Sequence, residues 1–276
     1  MQAPLAPVAE RTQTMPFDAG DASGWDECLP SVAACAVETA AGVAEVPDHG
    51  DLWRVAWEVV GQDESSVTLR GACFSLPLVL ERKLTLTETA MGARLRADYT
   101  IKNTGEAAVP WSWAAHPLFA ADEGDEIELP ESITELRVEG SGGERLGAKG
   151  AKVSWPVAEL AAGSKPDLRI AQAADAGIGD KLFTGQLQAD ENWCALKRPK
   201  AGVRVRVGFD PEATPYLGLW ICYGGWPERP GPKQMCVALE PATAPVDSLA
   251  VSGPWSQTLA PCAWYAWPMT IDLERL

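Results

Sequence analysis

Histidine is almost missing from this 276-residue chain, which has only two, His49 and His116. With no second histidine or cysteine at ligand spacing beside either, nothing supports a zinc site, and no metal is expected. Cysteine is present but unorganised. The seven residues are odd in number, and no Cys-x-x-Cys pair occurs, so the pattern fits reduced thiols and a cytoplasmic protein. No apolar run approaches the roughly 18 residues that cross a bilayer. The N-terminal MQAPLAPVAERTQ lacks the basic start and apolar core of a secretory signal. Basic residues are outnumbered, 23 Lys and Arg against 38 Asp and Glu, giving a formal net charge of −15. That field repels phosphate backbones and anionic lipid head groups, excluding nucleic acid and membrane surfaces as partners. A neutral small molecule such as a free sugar suits it best. Repeats, interdomain linkers and long amphipathic helices are also lacking. The expectation is one domain over residues 1–276, with 1–20 irregular.

What is present is strand pattern. LVLERKLTLTE (78–88) and RLRADYTIK (94–102) alternate apolar and polar residues around a turn at MGA (91–93). VRVRVGF (203–209) places Val203, Val205, Val207 and Phe209 on one side. LGLWICY (217–223) and MCVALE (235–240) read as more buried strands, with GGWPERPGPK between them as a loop. VEGSGGERLGAKGAK (138–152) reads as a surface loop, and VAELAAG (157–163) as one or two helical turns. Gly (25) and Pro (22) are scattered as turn punctuation. The fold class is all-β, a sandwich or barrel.

Three local settings carry chemistry. The first is PDHGDLWR (47–54). In the second, WSWAAHPLF (111–119), an extended 111–116 would put Trp111, Trp113 and Ala115 on one face. Ser112, Ala114 and His116 would then share the other, leaving room beside the imidazole. The third is VALEP (237–241), where Glu240 ends an apolar strand. A carboxylate there is costly without a partner, so it implies either a structural ion pair or a base. His116 alone also reads as a core histidine bonded to backbone. Asp26 and Glu27 are adjacent and would face opposite ways on a strand, one toward a site or both capping a turn. DEGDEIE (122–128) lacks EF-hand spacing and reads as a solvated acidic loop. Twelve Trp outnumber five Phe and four Tyr combined. Indole faces pack against the C–H faces of pyranoses. Trp53, Trp220 and Trp226 are the candidates for that contact.

GWDECLPS (24–31), HGDLWR (49–54), WSWAAHPLF (111–119), LGLWICYGG (217–225) and VALEP (237–241) together resemble the ordered landmarks of the galactose mutarotase-like, or aldose 1-epimerase, family. The resemblance implies a β-supersandwich with a concave sugar site, here lacking the strands that usually precede the GWDE-like landmark. It implies His116 as general acid, Glu240 as general base, and His49 with Arg54 as ligands to sugar hydroxyls. The implied activity is interconversion of the α and β anomers of a free aldohexose by ring opening, with no cofactor. Glu240 would take the C1 hydroxyl proton while His116, as imidazolium, protonates the ring oxygen. A carboxylate nearby would keep that imidazolium charged at neutral pH. The two groups are expected to face each other across a pyranose-sized space. The chain departs from the family in reading Pro117-Leu118-Phe119-Ala120 after His116, without the usual aromatic and asparagine. That departure favours the rival reading, a non-catalytic carbohydrate-binding or sugar-sensing protein on the same fold. A sugar-phosphate epimerase would need a basic cluster, and Arg82 and Lys83 face opposite ways.

Overall fold

The alternation at 78–102 produces the longest hairpin of the chain. In the computed structural model, which describes residues 1–5, 10–20, 22–160 and 163–276, strand Leu78–Thr89 pairs with Gly92–Asn103 along its whole length, from Leu78 opposite Asn103 to Thr89 opposite Gly92. Around it grows an eight-stranded antiparallel sheet in the order Glu126–Glu128, Trp193–Arg198, Val203–Phe209, Trp264–Arg275, Gly92–Asn103, Leu78–Thr89, Ser66–Ala72, Glu58–Gln62. The second large sheet has seven antiparallel strands, ordered Trp25–Cys28, Ala114–Ala120, Met235–Ala242, Tyr216–Tyr223, Ile178–Phe183, Glu135–Ser141, Lys152–Ser154. Two short antiparallel pairs, the hairpin Cys35–Thr39 with Gly42–Val46 and the long-range pair Val109–Trp111 with Gln257–Leu259, complete the strands among the described residues.

The two large sheets share one core, because the period-two rule sends alternate residues of each inward. Leu217, Leu219, Ile221, Val237 and Leu239 come from the seven-stranded sheet. Leu80, Tyr99, Ile101, Leu196 and Val207 come from the other, and all are buried. Each such side chain contributes about 1.5–3 kcal/mol of burial. The same rule leaves the opposite face of the seven-stranded sheet free to carry a site.

One charge is built into the core. Glu27 is 2% exposed and its carboxylate accepts hydrogen bonds from Arg82, Tyr99 and Trp113, each at 2.8 Å. Glu27 is thus a structural ion-pair partner, and neither a turn cap nor a site residue. Burial raises its carboxyl above the ordinary value, and Arg82 opposes that shift.

Three local expectations change. Residues Glu135–Ser141, the start of the presumed 138–152 loop, form a strand, because the adjacent Ile178–Phe183 supplies a partner despite a bulge between Val138 and Gly140. Residues 157–160 and 163 are not helical; 161–162 lie outside the described residues. The acidic 122–128 loop is pinned: Asp125 accepts from Arg198 at 2.8 Å, and Asp122 from the same guanidinium. Among the described residues of 1–24 the regular structure is one 3-10 turn, Phe17–Ala19.

Candidate active site

Strand register brings the two candidate catalytic residues together. Ala238 lies opposite Leu118 and Ala242 opposite Ala114, so Glu240 stands opposite His116 on the neighbouring strand. Pro117 and Pro241 have no N–H to donate, which leaves the ladder open between those flanking pairs. Facing residues on adjacent antiparallel strands hold their Cβ atoms about 4.5–5.5 Å apart. The imidazole Nε2 accordingly lies 3.9 Å from Glu240 Oε1. The row continues outward from the core face through Asp26, opposite His116, and inward along the sheet through Gly218, opposite Glu240. Gly218 is needed there: a Cβ would sit 3.0 Å from the Phe183 ring and 3.4 Å from Glu240 Oε2. The two groups are immediate neighbours, and the expected pyranose-sized gap between them is not found. Chemistry agrees with the closer spacing, since the C1 hydroxyl and the ring oxygen are bonded to the same carbon.

A third charged group, unanticipated from sequence, completes the row. Lys181 projects from Ile178–Phe183, and its ammonium donates to Glu240 Oε2 and lies 3.8 Å from Asp247 Oδ1. Glu240 is 0% exposed. Burial raises its carboxyl above the ordinary range, while the Lys181 charge and hydrogen bond pull the other way. Lys181 is raised: burial would lower it, but Glu240 and Asp247 outweigh that. Lys181 thus engages one carboxyl oxygen of Glu240 and leaves the other uncommitted. Glu240 Oε1 has no hydrogen-bond partner among the described residues, and neither has His116 Nδ1.

His116 differs from expectation in charge. Burial, His49 and Lys181 together hold it well below its ordinary 6.5. The carboxylate that was to stabilise an imidazolium is already engaged by Lys181 and stands beyond hydrogen-bond reach. At neutral pH the ring is neutral.

A cavity of about 160 Å³ opens on this face. His49, His116, Lys181, Trp220, Trp226 and Phe17 are on its wall, with Gln234 and Asp247. Glu240 is not on that wall: it is fully buried, bonded to Lys181 and 3.9 Å from His116. Trp220 is fixed by its indole N–H on Gln234, 3.0 Å, and Gln234 in turn donates to the Ala22 carbonyl. His49 sits in a turn with φ +59° followed by Gly50 at +67°, its Nδ1 3.0 Å from Asp48 Oδ2. Phe17, from the segment expected to be irregular, stacks on His49 with centroids 3.5 Å apart and rings 5° from parallel. It meets His116 edge-on.

Two predicted sugar contacts are not on this wall. Arg54 is buried and donates to the carbonyls of Met15, Asp48 and Gly50, so its guanidinium holds the His49 turn together. Trp53 is 3% exposed and lies under that guanidinium at 4.1 Å. Both support the turn from behind.

Among solved structures that resemble the chain is Slr1438 from Synechocystis sp. PCC 6803, at 18% identity and TM-score 0.69, over 92% of this chain and 78% of that one. Another is the galactose mutarotase related enzyme from Lactobacillus acidophilus, at 15% and 0.64, over 91% and 82%. A galactose mutarotase-like protein from Lactobacillus casei matches at 16% and 0.62, over 99% and 100%. The chain has the galactose mutarotase-like fold. No family model and no curated protein matches the sequence. Identities this low carry the fold of the galactose mutarotase-like structures and nothing finer, so the function rests on the site itself. Among the described residues no helix is long and apolar enough to cross a membrane, and no group of three or more metal-ligating side chains occurs.

Proposed function

We propose that the cavity binds a free, neutral aldose and that the chain interconverts its α and β anomers by ring opening, with Glu240 as the general base. One observation carries this reading: a buried carboxylate with one oxygen unpartnered, 3.9 Å from a nitrogen of His116, which lines a small hollow flanked by indoles. A carboxylate held that way is arranged to accept a proton. The volume, far below the roughly 300–1,000 Å³ of pockets for drug-sized ligands, suits a monosaccharide. Trp220 and Trp226 offer ring faces for the sugar's C–H surface, and His49 offers a nitrogen for a hydroxyl. The ring oxygen must gain a proton when C1–O5 breaks, and two nitrogens border Glu240, those of His116 and Lys181. No step calls for a metal or an organic cofactor.

Polarimetry on freshly dissolved α-D-glucose and α-D-galactose tests the proposal. Added protein should speed the approach to anomeric equilibrium, and Glu240→Gln should remove roughly 10²–10⁴-fold of that acceleration. A second reading, sugar binding without turnover, draws on the complete burial of Glu240 and its engagement with Lys181. Binding by calorimetry with no acceleration for any aldose would establish it.

A further inference from the structure

We propose that Phe17 is a built-in plug of the sugar seat: its ring takes part of the place of a pyranose beside His49 and His116, and the strap 15–20 that carries it swings out when an aldose binds. The inference rests on the reading of the cavity as an aldose site and deepens it by naming how that site is gated.

Phe17 is buried on the cavity wall, packed among four aromatic rings. It stacks on His49 and meets Trp53 and His116 edge-on, at centroid distances of 5.2 and 6.1 Å. The Trp226 indole lies 6.0 Å away, tilted toward it. A six-membered ring set flat on one imidazole and beside a second, with an indole near, uses the surfaces this site would offer a sugar. While the stack holds, the face of His49 that it covers is closed to any ligand.

The backbone that delivers the ring is tied down at a few points and belongs to neither large sheet. Its regular element is the 3-10 turn Phe17–Ala19, and the amides of Met15, Ala19 and Gly20 donate to the carbonyls of Thr12, Pro16 and Phe17 in the same stretch. From outside, Arg54 Nε donates to the Met15 carbonyl at 3.0 Å, and Arg229 to the Asp18 carbonyl. Two anchors flank the ring: Arg11 donates to the Trp53 carbonyl at 2.8 Å, and Gln234 to the Ala22 carbonyl at 3.1 Å. The stretch between them can therefore move out and return with both ends attached. Among the described residues this breaks the Arg54 and Arg229 bonds and the ring packing, and no sheet hydrogen bond. Arg54 keeps its bonds to the Asp48 and Gly50 carbonyls, so the His49 turn keeps its support.

Anomeric chemistry asks for a more open state than this one, because Glu240 is off the cavity wall. His116, Lys181 and Trp220 on that wall stand on strands paired on both sides within the seven-stranded sheet. Phe17 stands on the strap and packs against His116, the wall residue 3.9 Å from the carboxylate. Its release opens the site on that side at no cost in strand pairing. A site plugged most of the time binds with its affinity reduced by the open fraction, and burial of a phenyl ring favours the closed state by roughly 10–100-fold.

The test pairs calorimetric titration of the full chain and its Phe17→Ala variant, using D-glucose and D-galactose, with limited chymotrypsin digestion of the wild type in the presence and absence of the same sugars. Phe17→Ala should bind roughly 10–100-fold more tightly than wild type. Saturating sugar should speed cleavage after Phe17 in the wild type, because it drives the ring out of its pocket. A ring that instead serves as a fixed platform for the sugar gives the opposite signs. Unchanged or weaker binding by Phe17→Ala, or sugar that protects the Phe17–Asp18 bond, overturns the plug and leaves the aldose site standing. The digestion needs no variant to fold. Absence of binding to either sugar by both proteins overturns the underlying reading and the plug with it.

Discussion

Breaking the Lys181–Glu240 pair from one side should cost far more stability than removing it whole. Both side chains are buried, and in Lys181→Met the carboxylate would lose its cationic partner while Asp247, of the same sign, still acts on it. An uncompensated buried charge of this kind costs about 3–5 kcal/mol. At about 2–4 °C per kcal/mol for a chain approaching this size, the melting temperature should fall by on the order of 10 °C. Lys181→Met with Glu240→Leu removes both charges and replaces them with apolar volume, which is often neutral or stabilising. The double variant should therefore unfold close to wild type while being inactive. Urea denaturation of the wild type, both single variants and the double gives the coupling energy. Singles that each cost under about 1 kcal/mol, or a double whose loss equals their sum, would refute the reasoning.

Arg82→Met should cost a comparable amount, about 3–5 kcal/mol by denaturation, because it strips Glu27 of its cationic partner among the described residues. His116 makes stability pH-dependent with a definite sign. Its folded value is depressed, so its contribution is full above the unfolded value near 6.5 and is lost as pH falls toward the lower folded one. Wild type should lose more stability than His116→Gln between about pH 6.5 and 5, and equal slopes would contradict the burial argument. Gly50→Ala should displace the His49 turn, since a Cβ would stand 2.2 Å from the Leu29 carbonyl oxygen in a left-handed backbone. The expected result is a stability loss above about 1 kcal/mol together with weakened sugar binding by calorimetry.

Period-two alternation made the hairpin at 78–102 and the strand at 203–209 legible, and a continuous apolar run made the strand at 217–223 legible, because it is covered on both faces. The pairing of His116 with Glu240 came from the resemblance of WSWAAHPLF and VALEP to the family's landmarks; alternation alone did not set the two strands side by side. Lys181 was not legible, since IGDKLF carries no motif and only the sheet order sets it beside Met235–Ala242. One signal did exist. A glutamate inside the apolar VALEP run demands a cation on an adjacent strand. The charge of His116 was misread for the same reason, because the lysine claims the carboxylate that would have held the imidazolium. Arg54 was misplaced because side-chain direction in a tight turn depends on which carbonyls converge there, and sequence spacing does not encode that. Phe17 gave no sequence signal at all; its ring reaches His49 through a chain path with no periodicity to read.

The most direct measurement is two-dimensional exchange NMR on the anomeric protons of an equilibrated aldose, with wild type and Glu240→Gln. Catalysed ring opening predicts cross-peaks between the α and β H1 signals that grow with wild-type concentration and vanish in the variant. Unchanged spectra with wild type under saturating sugar, or equal cross-peaks with the variant, would contradict it.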